Sequence, residues 1–160
     1  EHISELTLDG ATGQAVASAA EAKDPLPLYV WKEDGVVKKY AFPISGKGLW
    51  STIYGYLALE GDLATTAGTT FYRHGETPGL GGEVEADWFQ NNFKGKKVVS
   101  NGQRVKFEVV KGKVADKYPQ GNDHAVDGIS GATLTGNGVT RFINATIDKY
   151  ESYFKLQRGS

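Results

Sequence analysis

The chain has 160 residues, 18 basic and 19 acidic, with neither cysteine nor methionine. That length suits one domain with a real core, and the near-even charge gives no electrostatic case for nucleic acid or an anionic membrane surface. Without cysteine there are no disulfides, thiolate metal sites, iron–sulfur ligation or cysteine nucleophiles, and no stretch is apolar for long enough to cross a bilayer as a helix.

An alanine-rich run over residues 15–22 predicts a short helix, ended by Asp24-Pro25-Leu26-Pro27. Residues 28–32 and 36–42 flank Asp34-Gly35, the pattern of a two-residue hairpin, with Leu28 and Val30 on one face and Tyr29 and Trp31 on the other. Residues 45–50, Ser-Gly-Lys-Gly-Leu-Trp, read as a turn-rich loop carrying one cation and one large aromatic. Residues 53–60 alternate Ile53, Gly55, Leu57 and Leu59 against Tyr54, Tyr56 and Ala58, as a strand does, and a second strand lies within 65–72.

Glycines and Pro78 exclude regular structure over 74–82. A helix is expected over 83–93, with Val84, Trp88 and Phe89 sharing a face. Residues 104–110 and 113–116 read as a second hairpin across Lys111-Gly112, followed by a polar loop to His124. Strands and helices do not alternate as βαβ units. The expected fold class is therefore α+β, a single domain over 1–160 with a mostly antiparallel, half-open sheet flanked by helices.

The most informative stretch is 127–139, Asp-Gly-Ile-Ser-Gly-Ala-Thr-Leu-Thr-Gly-Asn-Gly-Val, which leads into a helical face of Val139, Phe142, Ile143, Thr146, Ile147, Tyr150 and Phe154. A helix N-terminus offers unpaired N–H groups and the positive end of the macrodipole, and glycines admit a ligand close to the backbone. The stretch thus suits a phosphate. An ordinary helix start with Thr135 as N-cap is the alternative. Gly136 and Gly138 each cost about 1 kcal/mol against alanine inside a helix, so their small size should have a use.

Three segments, taken in order, resemble one family. Asp127, Ser130, Gly131, Ala132 and Thr133 are similar to the Asp-x-x-Ser/Thr-Gly-Ala-Thr signature of covalently flavinylated FMN-binding domains. Residues 45–50 and 74–81 (His-Gly-Glu-Thr-Pro-Gly-Leu-Gly) join it in the order found in the C subunits (NqrC) of sodium-translocating NADH:quinone reductases, and the related G component of the Rnf electron-transport complex carries similar segments. The residues alone leave Ser130, Thr133 and Thr135 open as the modified hydroxyl; the resemblance selects Thr133, esterified to the FMN phosphate.

The resemblance further implies an FMN-carrying electron relay that takes single electrons from an iron–sulfur centre and passes them to another flavin. It implies other reductase subunits and a flavin transferase as partners, and an N-terminal membrane anchor absent from this chain. It places the domain on the periplasmic side of the bacterial inner membrane. Residues 158–160 read as an appended remnant. No Gly-x-Gly-x-x-Gly follows a strand, so NADH oxidation is assigned elsewhere.

Within such a site, Ser130, Gly131, Ala132, Leu134 and Thr135 would surround the ester, and Glu76, Thr77, Gly79 and Leu80 would form the ring slot, with backbone N–H groups meeting flavin oxygens. Trp50 would pack beside the ring or in the core, and Lys47 would neutralise a phosphate or remain a solvated cation. Asp127 would cap its loop, be read by the transferase, or both. His74-x-Glu76 without further ligands does not make a metal site. Two rival functions are a noncovalent module for a phosphorylated ligand and a hydrolase built on Ser130, His124 and Asp127; the nucleophile-elbow pattern that the hydrolase needs is absent.

Overall fold

The structure, a computed structural model, describes residues 3–159. Its frame is an antiparallel sheet of β1 (Ile3–Leu8), β2 (Ala15–Val16), β3 (Leu26–Glu33), β4 (Val36–Lys47), β5 (Thr52–Glu60) and β6 (Thr66–Arg73), in the order β2-β1-β3-β4-β5-β6. The β3–β4 turn closes because Asp34 and Gly35 both take positive φ, 52° and 76°, as a two-residue hairpin turn of this hand requires. After β6 come α1 (Asp87–Asn91), the short pair β7 (Val99–Ser100) and β8 (Gln103–Arg104), then β9 (Glu108–Val109), α2 (Val114–Lys117), β10 (Ala125–Val126) and the long α3 (Thr133–Gln157).

The core lies between one sheet face and α3. Leu28, Val30, Phe42, Ile44, Ile53, Leu57 and Leu59 point into it from the strands, and Val139, Phe142, Ile143, Ile147, Tyr150 and Phe154 from the helix. Phe42 sits 4.6 Å from the Tyr150 ring and 5.6 Å from that of Phe154. The Tyr150 hydroxyl donates to the Pro27 carbonyl at 2.6 Å, which satisfies a buried polar tip, and burial pushes its pKa up. Arg158 donates to the Leu63 carbonyl at 2.9 Å and pairs with Glu151, so it takes part in fastening the end of α3. The other sheet face is open: Tyr56 stacks on Tyr72 at 5.7 Å, and the Arg73 guanidinium lies 4.2 Å from the Tyr54 ring centre. This is the half-open, mostly antiparallel α+β domain expected.

Several local expectations are corrected. Residues 15–22 form β2 and a 3-10 turn at Ala19–Glu21, not a helix, because Thr7 and Leu8 of β1 pair with Val16 and Ala15. Only the end of segment 45–50 is a turn, since β4 runs to Lys47 opposite Thr52. The helix over 83–93 splits at Ala86 into a 3-10 turn (Gly81–Glu85) and α1; Val84 and Phe89 are buried, but Trp88 is not. The second hairpin does not form: 113–116 enters α2, and β9 pairs in parallel with β10. Helix α3 begins at Thr133 with Ala132 as N-cap, so Thr135 is not the cap.

The glycines of its first turns serve packing. A Cβ on Gly138 would lie 2.2 Å from the Lys47 carbonyl oxygen, and one on Gly136 3.2 Å from the Val109 side chain. Without side chains there, the helix backbone rests directly on the end of β4.

Candidate functional site

The chain reaches α3 through a loop that is held at each step. The Asp127 carboxylate accepts the Val114 N–H at 2.8 Å and lies 3.9 Å from the Lys113 ammonium. Gly128 N–H donates to the Gly112 carbonyl at 2.8 Å, and a Cβ on Gly128 would sit 2.0 Å from the Val110 oxygen, so this crossing admits only glycine. Gly131 takes φ 75°, and Ala132 N–H then bonds to the Ile129 carbonyl at 3.0 Å. Ile129 and Ala132 are thereby buried, while Ser130 and Thr133 line a cleft of about 490 Å³ with Gly131, Lys111, Lys113 and Trp88. A cleft of this size falls within the range of small-molecule sites.

Its walls share one support. Asn144 on α3 accepts the Phe107 N–H at 2.9 Å and donates to the Phe107 carbonyl at 2.7 Å, while Thr140 accepts the Val109 N–H at 2.9 Å. The helix thus satisfies the backbone that carries Lys111 and Lys113, and it also begins with Thr133. Gly136 N–H is the first along α3 to find an acceptor, the Ala132 carbonyl at 3.1 Å. Among the described residues the N–H groups of Thr133, Leu134 and Thr135 find no acceptor, and those of the half-buried Thr133 and exposed Leu134 stand at the positive end of the dipole.

A buried carboxylate stands behind the cleft. Glu76, 4% exposed, accepts the N–H groups of Leu49 (2.8 Å), Trp50 (3.1 Å) and Ser51 (2.9 Å) and the hydroxyls of Ser51 (2.6 Å) and Thr135 (2.8 Å). Burial alone would raise its pKa; the hydrogen bonds from Ser51, Leu49, Thr135 and Trp50 outweigh burial and bring it down to about 2. Large apolar side chains stand exposed around this region: Trp50 is 68% exposed and Leu134 58%, with Leu80 and Trp88 about half so. A Leu80 methyl lies 3.1 Å from where a Gly131 Cβ would be.

The structure therefore brings Ser130, Gly131 and Thr133 to the cleft, with Leu80 beside Gly131 and with Asp127, Ala132 and Thr135 supporting the loop from behind. Glu76 spends its carboxylate inside the protein. Thr77 and Gly79 lie in an exposed turn, where the Thr77 carbonyl takes the Leu80 and Gly82 N–H groups. Lys47 and Trp50 are exposed outside the cleft lining. His74 accepts the Glu76 N–H at 3.1 Å and lies 3.5 Å from Glu85; among the described residues no group of three acidic or histidine side chains is placed to hold a metal. His124 bonds to the Lys106 carbonyl and Asp127 to Val114, so neither is joined to Ser130 as a hydrolase needs.

Sequence reasoning missed Lys111, Lys113 and Trp88. The available signal was a glycine between two lysines, Lys111-Gly112-Lys113, read only as a hairpin turn. A hydroxyl sharing a cleft with two lysines, open helix N–H groups and an apolar rim together fit a phosphorylated, flat, largely apolar ligand.

Residues 48–148 match the FMN-binding domain family, and the chain belongs to that family. Within it, the chain is similar to the C subunits of Na(+)-translocating NADH-quinone reductases: it is 44% identical to that of Vibrio alginolyticus over 124 residues (78% of this chain, 47% of the relative) and 40% identical to that of Yersinia pestis over 132 residues (82% and 48%). It spans about half the length of these curated relatives. Its fold is similar to the crystal structure of Shewanella oneidensis NqrC (TM-score 0.87, 28% identity, all of this chain and 86% of that one). It is likewise similar to that of the corresponding reductase component from Parabacteroides distasonis (TM-score 0.80, 34% identity, 94% and 77%).

Proposed function

We propose that this domain carries FMN as a phosphoester on Thr133 and serves as an electron relay in a sodium-translocating NADH:quinone reductase. In that complex it receives single electrons from an iron–sulfur centre and passes them to another flavin, on the periplasmic side of the bacterial inner membrane. Its partners are the other subunits, a membrane anchor that its relatives' greater length leaves room for, and the flavin transferase that loads it. When bound, FMN supplies reversible one- and two-electron redox chemistry.

The observation that carries this reading is the half-buried Thr133 hydroxyl in a cleft shared with Lys111 and Lys113. Two ammonium groups and the first N–H groups of a 25-residue helix would hold a phosphate's negative charge at that hydroxyl. Trp88, Leu80 and Leu134 offer apolar surface for the ring system and shield its faces from water. Glycine at 131 leaves room beside Leu80 for close backbone approach.

Protein produced together with a flavin transferase should gain the mass of one FMN less one water and keep its yellow colour after denaturation. Thr133→Ala should lose both while its melting temperature stays within a few degrees, because the hydroxyl has no partner among the described residues. An adduct that persists in the variant, or maps to Ser130 or Thr135, would overturn the assignment; colour that both proteins lose on denaturation would favour a noncovalent site.

A further inference from the structure

Glu76 sits in a loop of glycines, Thr77 and Pro78 that has no other buried charge. Its oxygens are fully subscribed: Oε1 takes Leu49 N–H and the Thr135 hydroxyl, and Oε2 takes Trp50 N–H, Ser51 N–H and the Ser51 hydroxyl. A carboxylate has about four lone-pair sites, so five donors leave none for a ligand. Among the described residues no lysine or arginine pairs with it, and its charge is met by dipoles alone. Each hydrogen bond lost leaves part of that buried charge uncompensated.

The donors come from two segments distant in sequence, the turn between β4 and β5 and the first turn of α3. The space around the junction is filled: a Cβ on Gly48 would lie 2.7 Å from Oε1, and one on Gly81 2.5 Å from the Thr135 hydroxyl oxygen. Where Gly136 and Gly138 deprive α3 of side chains to pack, this junction supplies the orientation instead.

Resting on the reading that Thr133 carries FMN, we infer that Glu76 is a positioning residue: it clamps the first turn of α3 to the Trp50 turn, so that the Thr133 hydroxyl and the open N–H groups are set before the flavin arrives. The Glu76 carboxylate, with its oxygens already bonded, acts through this clamp. Glutamine is a poor substitute because its NH₂ group would face donors.

The first test uses the flavin-free protein. In Glu76→Gln, amide exchange at Leu49, Trp50, Ser51 and Gly136, the first bonded amide of α3, should rise roughly tenfold, as loss of a charge-assisted bond requires, while Leu57 and Leu59 in β5 stay near wild type. Thr135→Val, which removes one donor and spares the turn, should raise exchange at Gly136 and leave Leu49, Trp50 and Ser51 near wild type, and it serves where Glu76→Gln fails to fold. The second test is the initial rate of flavin loading by the transferase, which both variants should slow roughly tenfold. A core variant of equal melting temperature, such as Phe154→Leu, should load at the wild-type rate.

Unchanged exchange at these amides, or equal slowing in the core variant, overturns the positioning role. Failure of the wild-type protein to load overturns the FMN reading instead, and the exchange measurement still decides the clamp.

Discussion

Along α3 the contacts with the sheet change character: in the C-terminal half Tyr150 and Phe154 press aromatic rings onto Phe42, with Phe154 also 6.1 Å from Tyr40, whereas near the start Gly136 and Gly138 lay bare backbone against Val109 and Lys47. The ringed half is held by volume and dispersion, which need no directional bond. The bare first turn has little volume to pack, so its direction comes from the Thr135 hydrogen bond to Glu76 and, between one and three turns on, from Thr140 and Asn144. A helix can thus be stable at one end and accurately aimed at the other, with the two properties carried by different residues.

That contrast can be broken at either end. The largest effect should come from Phe154→Ala, which empties a fully buried site and should cost about 3–5 kcal/mol in denaturant unfolding, with the cleft keeping its shape as read by amide shifts at 131–135. Acid should attack the other end. Glu76 titrates near 2 when folded against an ordinary 4.5, so its contribution is complete above about pH 5 and is lost as pH falls toward 2, up to roughly 3 kcal/mol in all. Glu76→Gln should flatten that limb of the stability–pH curve; an unchanged curve would place the acid sensitivity elsewhere. Gly138→Ala comes third. On an exposed helix this change gains about 1 kcal/mol, but here the added methyl meets the Lys47 carbonyl, and a net loss of about 1–3 kcal/mol is expected; a stabilised variant would refute the backbone contact.

Much of the frame was legible because its signals are local. Asp34-Gly35 announces its turn through the positive φ that both residues adopt, and the alternation of Ile53, Leu57 and Leu59 against Tyr54 and Tyr56 states which face is dry. The 127–133 loop was legible as the approach to a helix N-terminus for the same reason. What misled were propensities overridden at a distance. Alanines 15–22 favour a helix until β1 offers a pairing edge, and Gly112 turns the chain as expected but toward α2, because the partner of β9 arrives only at Ala125. The clamp at Glu76 spans 59 residues to Thr135, a separation at which no spacing rule operates. Lys111 and Lys113 were invisible as site residues for the same cause: their wall is set beside Thr133 by Asn144, far along the helix.

The capture of Phe107 and Val109 by Asn144 and Thr140 has a mechanical consequence. Both banks of the cleft ride on one rod, the hydroxyl bank by chain continuity and the lysine bank by these brackets. Were α3 to slide along its axis by one residue's rise, about 1.5 Å, both banks would travel together and the gap between them would keep its width. The spacing of the hydroxyl and lysine banks is thereby tied to one helix.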